Sequence, residues 1–134
     1  MGNELESPLE FDLIFNNELS YETRNNIKNT FPDSEATALY SINLNVTENQ
    51  TPLIINSNGT VSKYRVEIMI YFEVHESSSG NSLYSNVSRG FSEYLVQTSE
   101  IQTNEKFKQA TEIATNEAVQ MMSIMIQNNV LGSQ

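Results

Sequence analysis

The chain has 134 residues, a formal net charge of −10 and only seven Lys and Arg residues. Nucleic-acid binding depends on clustered basic side chains that neutralise phosphates, so this composition argues against DNA and RNA as partners. The length suits a single domain with a modest core. No run of eighteen apolar residues is present, so the sequence contains no candidate for a helix that spans a membrane.

The inventory of reactive side chains is small, because Cys is absent and His75 is the only His. A zinc site usually needs about four nitrogen or sulfur ligands, and a His-based triad needs a nucleophile and an orienting acid around the ring. Carboxylate pairs such as Glu73 with Glu76, or Glu112 with Glu117, are better explained as solvated surface in an acidic chain. We therefore predict that the protein is not an enzyme and has no catalytic residues, metal site or cofactor.

The first predicted elements are a short strand and a helix. The polar stretch 1–9 is interpreted as a flexible tail from which a signal segment and its lipid-bearing Cys have been removed, with an ordinary cytosolic start as the alternative. Alternation of apolar residues over 11–15 predicts a strand. Leu19, Thr23, Ile27 and Phe31 then recur every four residues, which predicts a helix that ends at Pro32.

Three further strands follow, each predicted from the alternation of apolar and polar residues. The segment 40–46 is the first, and a turn at 57–59 separates it from the long alternating segment 64–74. Leu83, Val87, Phe91 and Leu95 lead the last strand, in which Gly90 is predicted to mark a bulge.

The last predicted element is a long helix that begins with capping-box spacing between Ser99 and Gln102. Ala110, Ala114 and Ala118 recur every four residues and predict a smooth seam on which the helix can lie close to a sheet. Met121, Met122 and Met125 are predicted to fill the wider end of the packing, because Met adapts to irregular gaps.

The order of elements, β-α-β-β-β-α, predicts an α+β fold with two helices packed on one face of a four-stranded mixed sheet. The other face is predicted to carry Lys63, Arg65, Glu67, Met69, Tyr71 and Glu73. Such a face is too polar for a second core and too rich in Met and Tyr for an inert surface. We predict a partner interface there, formed by Met69, Tyr71 and Tyr94.

Basic residues in the strands suggest a second kind of site. Lys63, Arg65 and Arg89 occupy strand positions, where a charge must be exposed, paired or bound to a ligand. One interpretation is a cationic patch for phosphate groups, since Arg matches phosphate oxygens. The alternative is cross-strand pairing with Glu67, Glu73 or Glu93.

Four stretches resemble the LptE family of lipopolysaccharide-assembly lipoproteins: LSYETRNNIKNTF at 19–31, ALYSINLNV at 38–46, NGTVSKYRVEIMIYFEV at 58–74 and YSNVSRGFSEY at 84–94. The resemblance covers roughly residues 11–128, rests on element order and hydrophobic pattern, and implies a single LptE-like domain over 10–131. It further implies a lipid anchor on the periplasmic side of the outer membrane and a partner, the LptD β-barrel, which such proteins plug and help to assemble. Lipopolysaccharide is the implied ligand, and Arg89 matches the family's strand-four Arg.

A second class of function is compatible with the same layout. The chain would then be a periplasm-facing auxiliary lipoprotein of a lipid or solvent exporter, which binds a small apolar ligand or a partner. This alternative predicts an apolar cleft between the helices and the sheet, whereas the barrel plug predicts an exposed mixed strand face.

Overall fold

The computed structural model describes residues 11–30 and 38–131. Their elements are β1 (Phe11–Phe15), α1 (Tyr21–Thr30), β2 (Tyr40–Ile55), β3 (Val61–Glu76), β4 (Ser82–Leu95) and α2 (Glu100–Ile126), which continues as a π-helical turn over Gln127–Leu131. The predicted tail 1–9 lies outside the described residues, as do Phe31 and Pro32 at the predicted end of α1.

The strands form one four-stranded sheet in the order β1-β2-β3-β4. β1 runs parallel to β2, whereas β2, β3 and β4 form an antiparallel meander. The helix between β1 and β2 is the crossover that a parallel pair requires. The predicted α+β fold with a mixed sheet is confirmed.

At the start of helix α1, a side chain accepts a hydrogen bond from a backbone amide that has no acceptor within the helix. The hydroxyl of Ser20 accepts a hydrogen bond from the amide of Thr23 at 3.3 Å, as expected for an N-cap residue. Thr23 and Ile27 are fully buried, so the predicted apolar face of the helix packs into the core. Helix α1 lies against α2, and its Arg24 guanidinium lies over the ring of Phe15 at the end of β1.

The alternating pattern of the central strands separates a covered face from an uncovered one. Five residues of β3 on the helix-covered face are buried: Val66, Ile68, Ile70, Phe72 and Val74. The residues between them, from Arg65 to Glu73, are exposed or half-buried on the other face. The predicted division of β3 into a core face and a polar face is therefore confirmed.

Helix α2 lies directly on β4, and Gly90 makes this approach possible. Ala110, Ala114 and Ala118 are buried at the contact, as the predicted seam requires. A Cβ atom on Gly90 would lie 1.9 Å from the carbonyl oxygen of Ala114. The prediction of a bulge at Gly90 is wrong, because its pairing with Ile68 continues the regular register of the two strands.

As far as Ala118, helix α2 buries only small side chains, and beyond it Val119, Met122 and Ile126 are buried. Thr111 and Thr115 are buried with the alanines, and their hydroxyls donate to the carbonyls of Phe107 and Thr111 at 2.8 and 2.7 Å. Met122 is fully buried, whereas Met121 is 43% exposed, so the packing role predicted for Met121 is wrong. The broad apolar surface of α2 is thus only partly used by the core.

Candidate docking surface

The open face of the sheet is the surface that no described helix covers. It consists of Asn43, Asn45 and Thr47 of β2, Lys63, Arg65, Glu67, Met69, Tyr71 and Glu73 of β3, and Val87, Arg89, Phe91 and Glu93 of β4. Tyr71 is 46% exposed and lies between Asn45 and Val87 in the cross-strand register. Met69 lies one step along the same face. The centre of the open face is therefore apolar and accessible.

The three predicted cations all lie on the open face, and each is next to a carboxylate. Lys63 Nζ lies 3.0 Å from Glu93 Oε1, and Arg65 Nη2 lies 3.8 Å from the other oxygen of the same carboxylate. Arg89 Nε lies 4.0 Å from Glu67 Oε2. The cross-strand pairing that the sequence left open is thus present for all three, and it leaves the rim of the open face nearly neutral.

Two carboxylates of this face, Glu73 and Glu93, have lowered pKa values. A hydrogen bond from Lys63 and the positive charge of Lys63 lower the pKa of Glu93 below its usual value of 4.5. Arg65 lowers this pKa further, and together these effects outweigh desolvation of the carboxyl group, which raises it. The hydroxyl of Ser82 donates to Glu73 and lowers the pKa of Glu73 in the same direction. Both groups stay ionised at neutral pH, so the charge pattern of the rim is fixed.

We expect the substitution Glu93→Gln to flatten the dependence of stability on pH. A carboxyl whose pKa is lowered by folding stabilises the fold above its unfolded pKa, and this contribution is lost as pH falls through the lowered folded pKa. Wild type should therefore lose more stability than Glu93→Gln between about pH 7 and about pH 3, as urea midpoints would measure. Glu112→Gln is the control, since Glu112 makes no ion pair within the described part of the chain. Equal slopes for wild type and Glu93→Gln would contradict the expectation.

Tyr94 does not lie on the open face, and its predicted placement there is wrong. Tyr94 is 7% exposed and stacks on Tyr64 with ring centroids 5.4 Å apart. The Tyr94 and Phe107 rings meet edge to face, with their centroids 5.8 Å apart. The Gln50 side-chain amide donates to its hydroxyl. Burial raises the pKa of the Tyr94 phenol. Because Tyr94 pairs with Tyr64 across the strands, both rings lie on the helix-covered side.

A cleft opens beside this aromatic cluster, between the first turns of α2 and the sheet. Its volume is about 400 Å³. Tyr94, Val96 and Phe107 supply apolar surface, and Gln50 and Thr103 supply polar groups. It lies between α2 and the sheet, where the exporter alternative predicts a cleft, and polar side chains such as Gln97, Ser99 and Glu100 also line it. Its size lies within the usual range for ligand sites.

His75 lies at the far end of β3 in a small polar cluster. Its Nε2 lies 3.3 Å from Glu73 Oε1, and the hydroxyl of Ser82 donates to the other oxygen of that carboxylate at 2.7 Å. An activated serine must donate its proton to the imidazole itself, whereas Ser82 donates to the Glu73 carboxylate. This cluster therefore does not have the arrangement of a catalytic triad. Among the described residues, no three side chains are grouped so as to hold a metal ion.

None of the described helices combines the length and the apolar character needed to cross a bilayer. No protein-family model matches the chain, and no curated protein sequence matches it.

Solved structures do share the fold. A candidate lipoprotein from Caulobacter crescentus is similar with a TM-score of 0.73, 11% identity and 92% coverage of both chains. Rare lipoprotein B from Shewanella oneidensis has a TM-score of 0.63 and 13% identity, over 93% of this chain and 99% of that one. A minor lipoprotein from Acinetobacter baumannii has a TM-score of 0.66 and 13% identity, over 90% and 92%. The chain therefore has the fold of these small bacterial lipoproteins.

Proposed function

We propose that this protein is an LptE-like lipoprotein that plugs an LptD-like outer-membrane β-barrel, helps the barrel to assemble and assists the insertion of lipopolysaccharide at the cell surface. The lipid anchor would lie at the N-terminus of the native precursor and hold the domain on the periplasmic side of the outer membrane. The protein would act by binding alone, without a catalytic residue, metal or other cofactor, and without a nucleic-acid partner. Its fold, shared with rare lipoprotein B, supports this proposal.

The observation that carries the proposal is the composition of the open face. Met69 and Tyr71 form an accessible apolar centre, and paired charges surround it. Met and aromatic residues are enriched at protein interfaces, which usually combine an apolar centre with a polar rim. The lumen of an outer-membrane barrel is lined by polar side chains. A neutral rim of ion pairs and amides can match such a lining without leaving a buried charge unpaired.

Lipopolysaccharide contact belongs to the same proposal, with Lys63, Arg65 and Arg89 as the phosphate-binding candidates. Arg89 is the best placed of them, because its side chain is 56% exposed and its carboxylate partner is 4.0 Å away. An exposed pair of this kind contributes little stability, so a phosphate could replace Glu67 at small cost. Lys63 is held more closely by Glu93 and would be released less easily.

We expect the double substitution Met69→Glu with Tyr71→Glu to abolish association with the barrel. Two buried charges without partners at the centre of an interface cost several kcal/mol, so recovery of an LptD-like barrel from detergent-solubilised envelopes should fall at least about tenfold. Both side chains lie outside the core, so the thermal midpoint should change little. Ile101→Glu is the matched control, because Ile101 is exposed on α2, away from the open face.

Undiminished recovery of the barrel with the double variant would contradict the proposal. The second candidate is favoured if the native protein recovers no barrel at all but binds a small apolar ligand, and if Phe107→Glu abolishes that binding. That candidate is the auxiliary lipoprotein of a lipid or solvent exporter, and the specific observation behind it is the apolar cleft beside Tyr94 and Phe107.

A further inference from the structure

Strand β4 ends the sheet, and no described strand pairs with its outer edge. Consecutive residues of a strand direct their backbone N–H and C=O groups to opposite edges. The amide of Val96 donates toward β3, to the carbonyl of Ser62 at 3.0 Å, whereas the amide of Phe91 donates to the Glu117 side chain at 2.8 Å. The odd-numbered residues of β4 therefore direct their hydrogen-bonding groups away from the sheet.

Two side chains occupy the places of a neighbouring strand's backbone. The Glu117 carboxylate accepts from the amide of Phe91, as the carbonyl of an adjacent strand would. The Gln97 amide donates to the carbonyl of Leu95 at 2.8 Å, as an adjacent N–H would. Between them, no side chain in the described segments caps the backbone of Glu93. This part of the edge keeps the hydrogen-bonding capacity that a further strand would satisfy.

The flank of α2 above this edge is apolar and uncovered. Ile113, Met121 and Ile124 are 57%, 43% and 53% exposed, and their helical spacing places them on the same flank as Glu117. Glu117 reaches the backbone of β4, so this flank lies over the position of the next strand. A groove of about 570 Å³ separates the helix from the strand there, and Leu95, Gln109 and Ile113 are among its lining residues.

We propose that β4 accepts a fifth strand from a partner, an extended polypeptide segment that pairs with the edge from Phe91 to Leu95. Every second side chain of that segment would be apolar and would cover Ile113, which lines the groove beside this part of the edge. Strand addition of this kind takes its affinity from backbone hydrogen bonds and its specificity from alternate side chains. The edge is distinct from the centre of the open face, so this proposal does not depend on the barrel-plug function.

Charge favours a separate partner over a second copy of this chain. Each copy carries a net charge of −10, so two copies would repel each other at low ionic strength. Lys106 lines the same groove and makes no ion pair within the described segments. An acidic side chain in the incoming segment would therefore find a partner at its end of the groove.

The test uses a short capped peptide of alternating Val and Thr with one Asp, titrated into the isotopically labelled full chain and followed by NMR. We expect saturable shifts of the amide resonances of Phe91, Glu93 and Leu95, with the strongest effect at Glu93. A copy of the peptide that is N-methylated throughout keeps the side chains and loses the N–H groups. Its affinity should be at least about tenfold lower, because the added strand can no longer donate hydrogen bonds.

A pair of variants separates the backbone from the side chain at the centre of the edge. Glu93→Pro removes an outward N–H, at a position where an edge strand tolerates proline, and should abolish the shifts. Glu93→Thr removes the same carboxylate and its ion pairs but keeps the N–H, and should bind as wild type does. If Glu93→Pro does not fold, the N-methylated peptide still decides the question.

Three outcomes would overturn the proposal. The first is the absence of saturable shifts at the edge, and the second is equal binding of the N-methylated peptide. The third is a set of shifts that grows with protein concentration in the absence of peptide, together with a dimer in sedimentation, because the occupant of the edge would then be a second copy of the chain.

Discussion

Gly90→Ala is expected to destabilise the protein by at least about 3 kcal/mol, more than most single substitutions. The new Cβ would lie 1.9 Å from the carbonyl oxygen of Ala114 and 2.8 Å from the amide nitrogen of Ala118. Both atoms belong to the helix backbone, so no side-chain rotation relieves the overlap and α2 must move off the sheet. Thermal unfolding should show a midpoint roughly 10 °C lower than wild type.

Two further variants show whether the backbone of α2 is the cause. Ser88→Ala changes the preceding inward position of β4, where the hydroxyl is buried with no hydrogen-bond partner among the described residues. That change adds no atoms and should be neutral or slightly stabilising. Adding Ala114→Gly to Gly90→Ala should give no rescue, because the overlap is with the carbonyl of residue 114. A stable Gly90→Ala protein, or rescue by Ala114→Gly, would contradict this account.

The sequence contains enough information for the centre of the sheet but not for its last strand. In β3, strict alternation correctly predicts which residues are buried, because the apolar side chains of the covered face belong to the hydrophobic core. In β4 the large residues Leu83, Phe91 and Leu95 lie on the exposed side, whereas Ser88 and Gly90 lie under α2. The pattern of side-chain sizes in β4 does not reveal this inversion. Ser88 and Gly90 are small because α2, which comes later in the chain, packs closely over them.

The same close approach explains why Met121 does not have its predicted packing role. Helical periodicity normally places large aliphatic residues toward the core. Here the sheet is so close that alanines and threonines occupy the contact, and Met121 and Ile124 remain outside it. The sequence correctly predicts the Ala seam, but only the packed structure shows that Glu117 and its neighbours face a free strand edge.

In the candidate site, simple alternation of the residues of β3 correctly predicts that Lys63, Arg65, Met69 and Tyr71 lie on the open face. The pairing of the cations with Glu93 and Glu67 depends on the cross-strand register, which a single sequence does not contain. The position of Tyr94 depends on the same register. Counting in steps of two from Gly90 shows that Tyr94 is on the covered side, but this requires knowing which side Gly90 occupies.

Tyr94→Ala is expected to cost about 3–5 kcal/mol, because it removes a large buried aromatic ring and leaves a cavity. The lost contacts are the stack on Tyr64 and the edge contact with Phe107, which join the long β2–β3 hairpin to β4 and α2. Tyr94→Phe keeps the ring and loses the hydrogen bond from Gln50, so its cost should be about 1 kcal/mol. Urea unfolding of the three proteins measures both differences.

Tyr71→Ala is the matched comparison, because it removes the same side chain from the open face of the neighbouring strand. Tyr71 is 46% exposed, so the free energy of unfolding should change by less than about 1 kcal/mol while recovery of the barrel falls. Tyr94→Ala should show the opposite combination: the protein that remains folded at low temperature should still recover the barrel, because its open face is intact. If Tyr94→Ala leaves stability unchanged and abolishes recovery of the barrel, Tyr94 contacts the partner directly, which would contradict its role as a buried core residue.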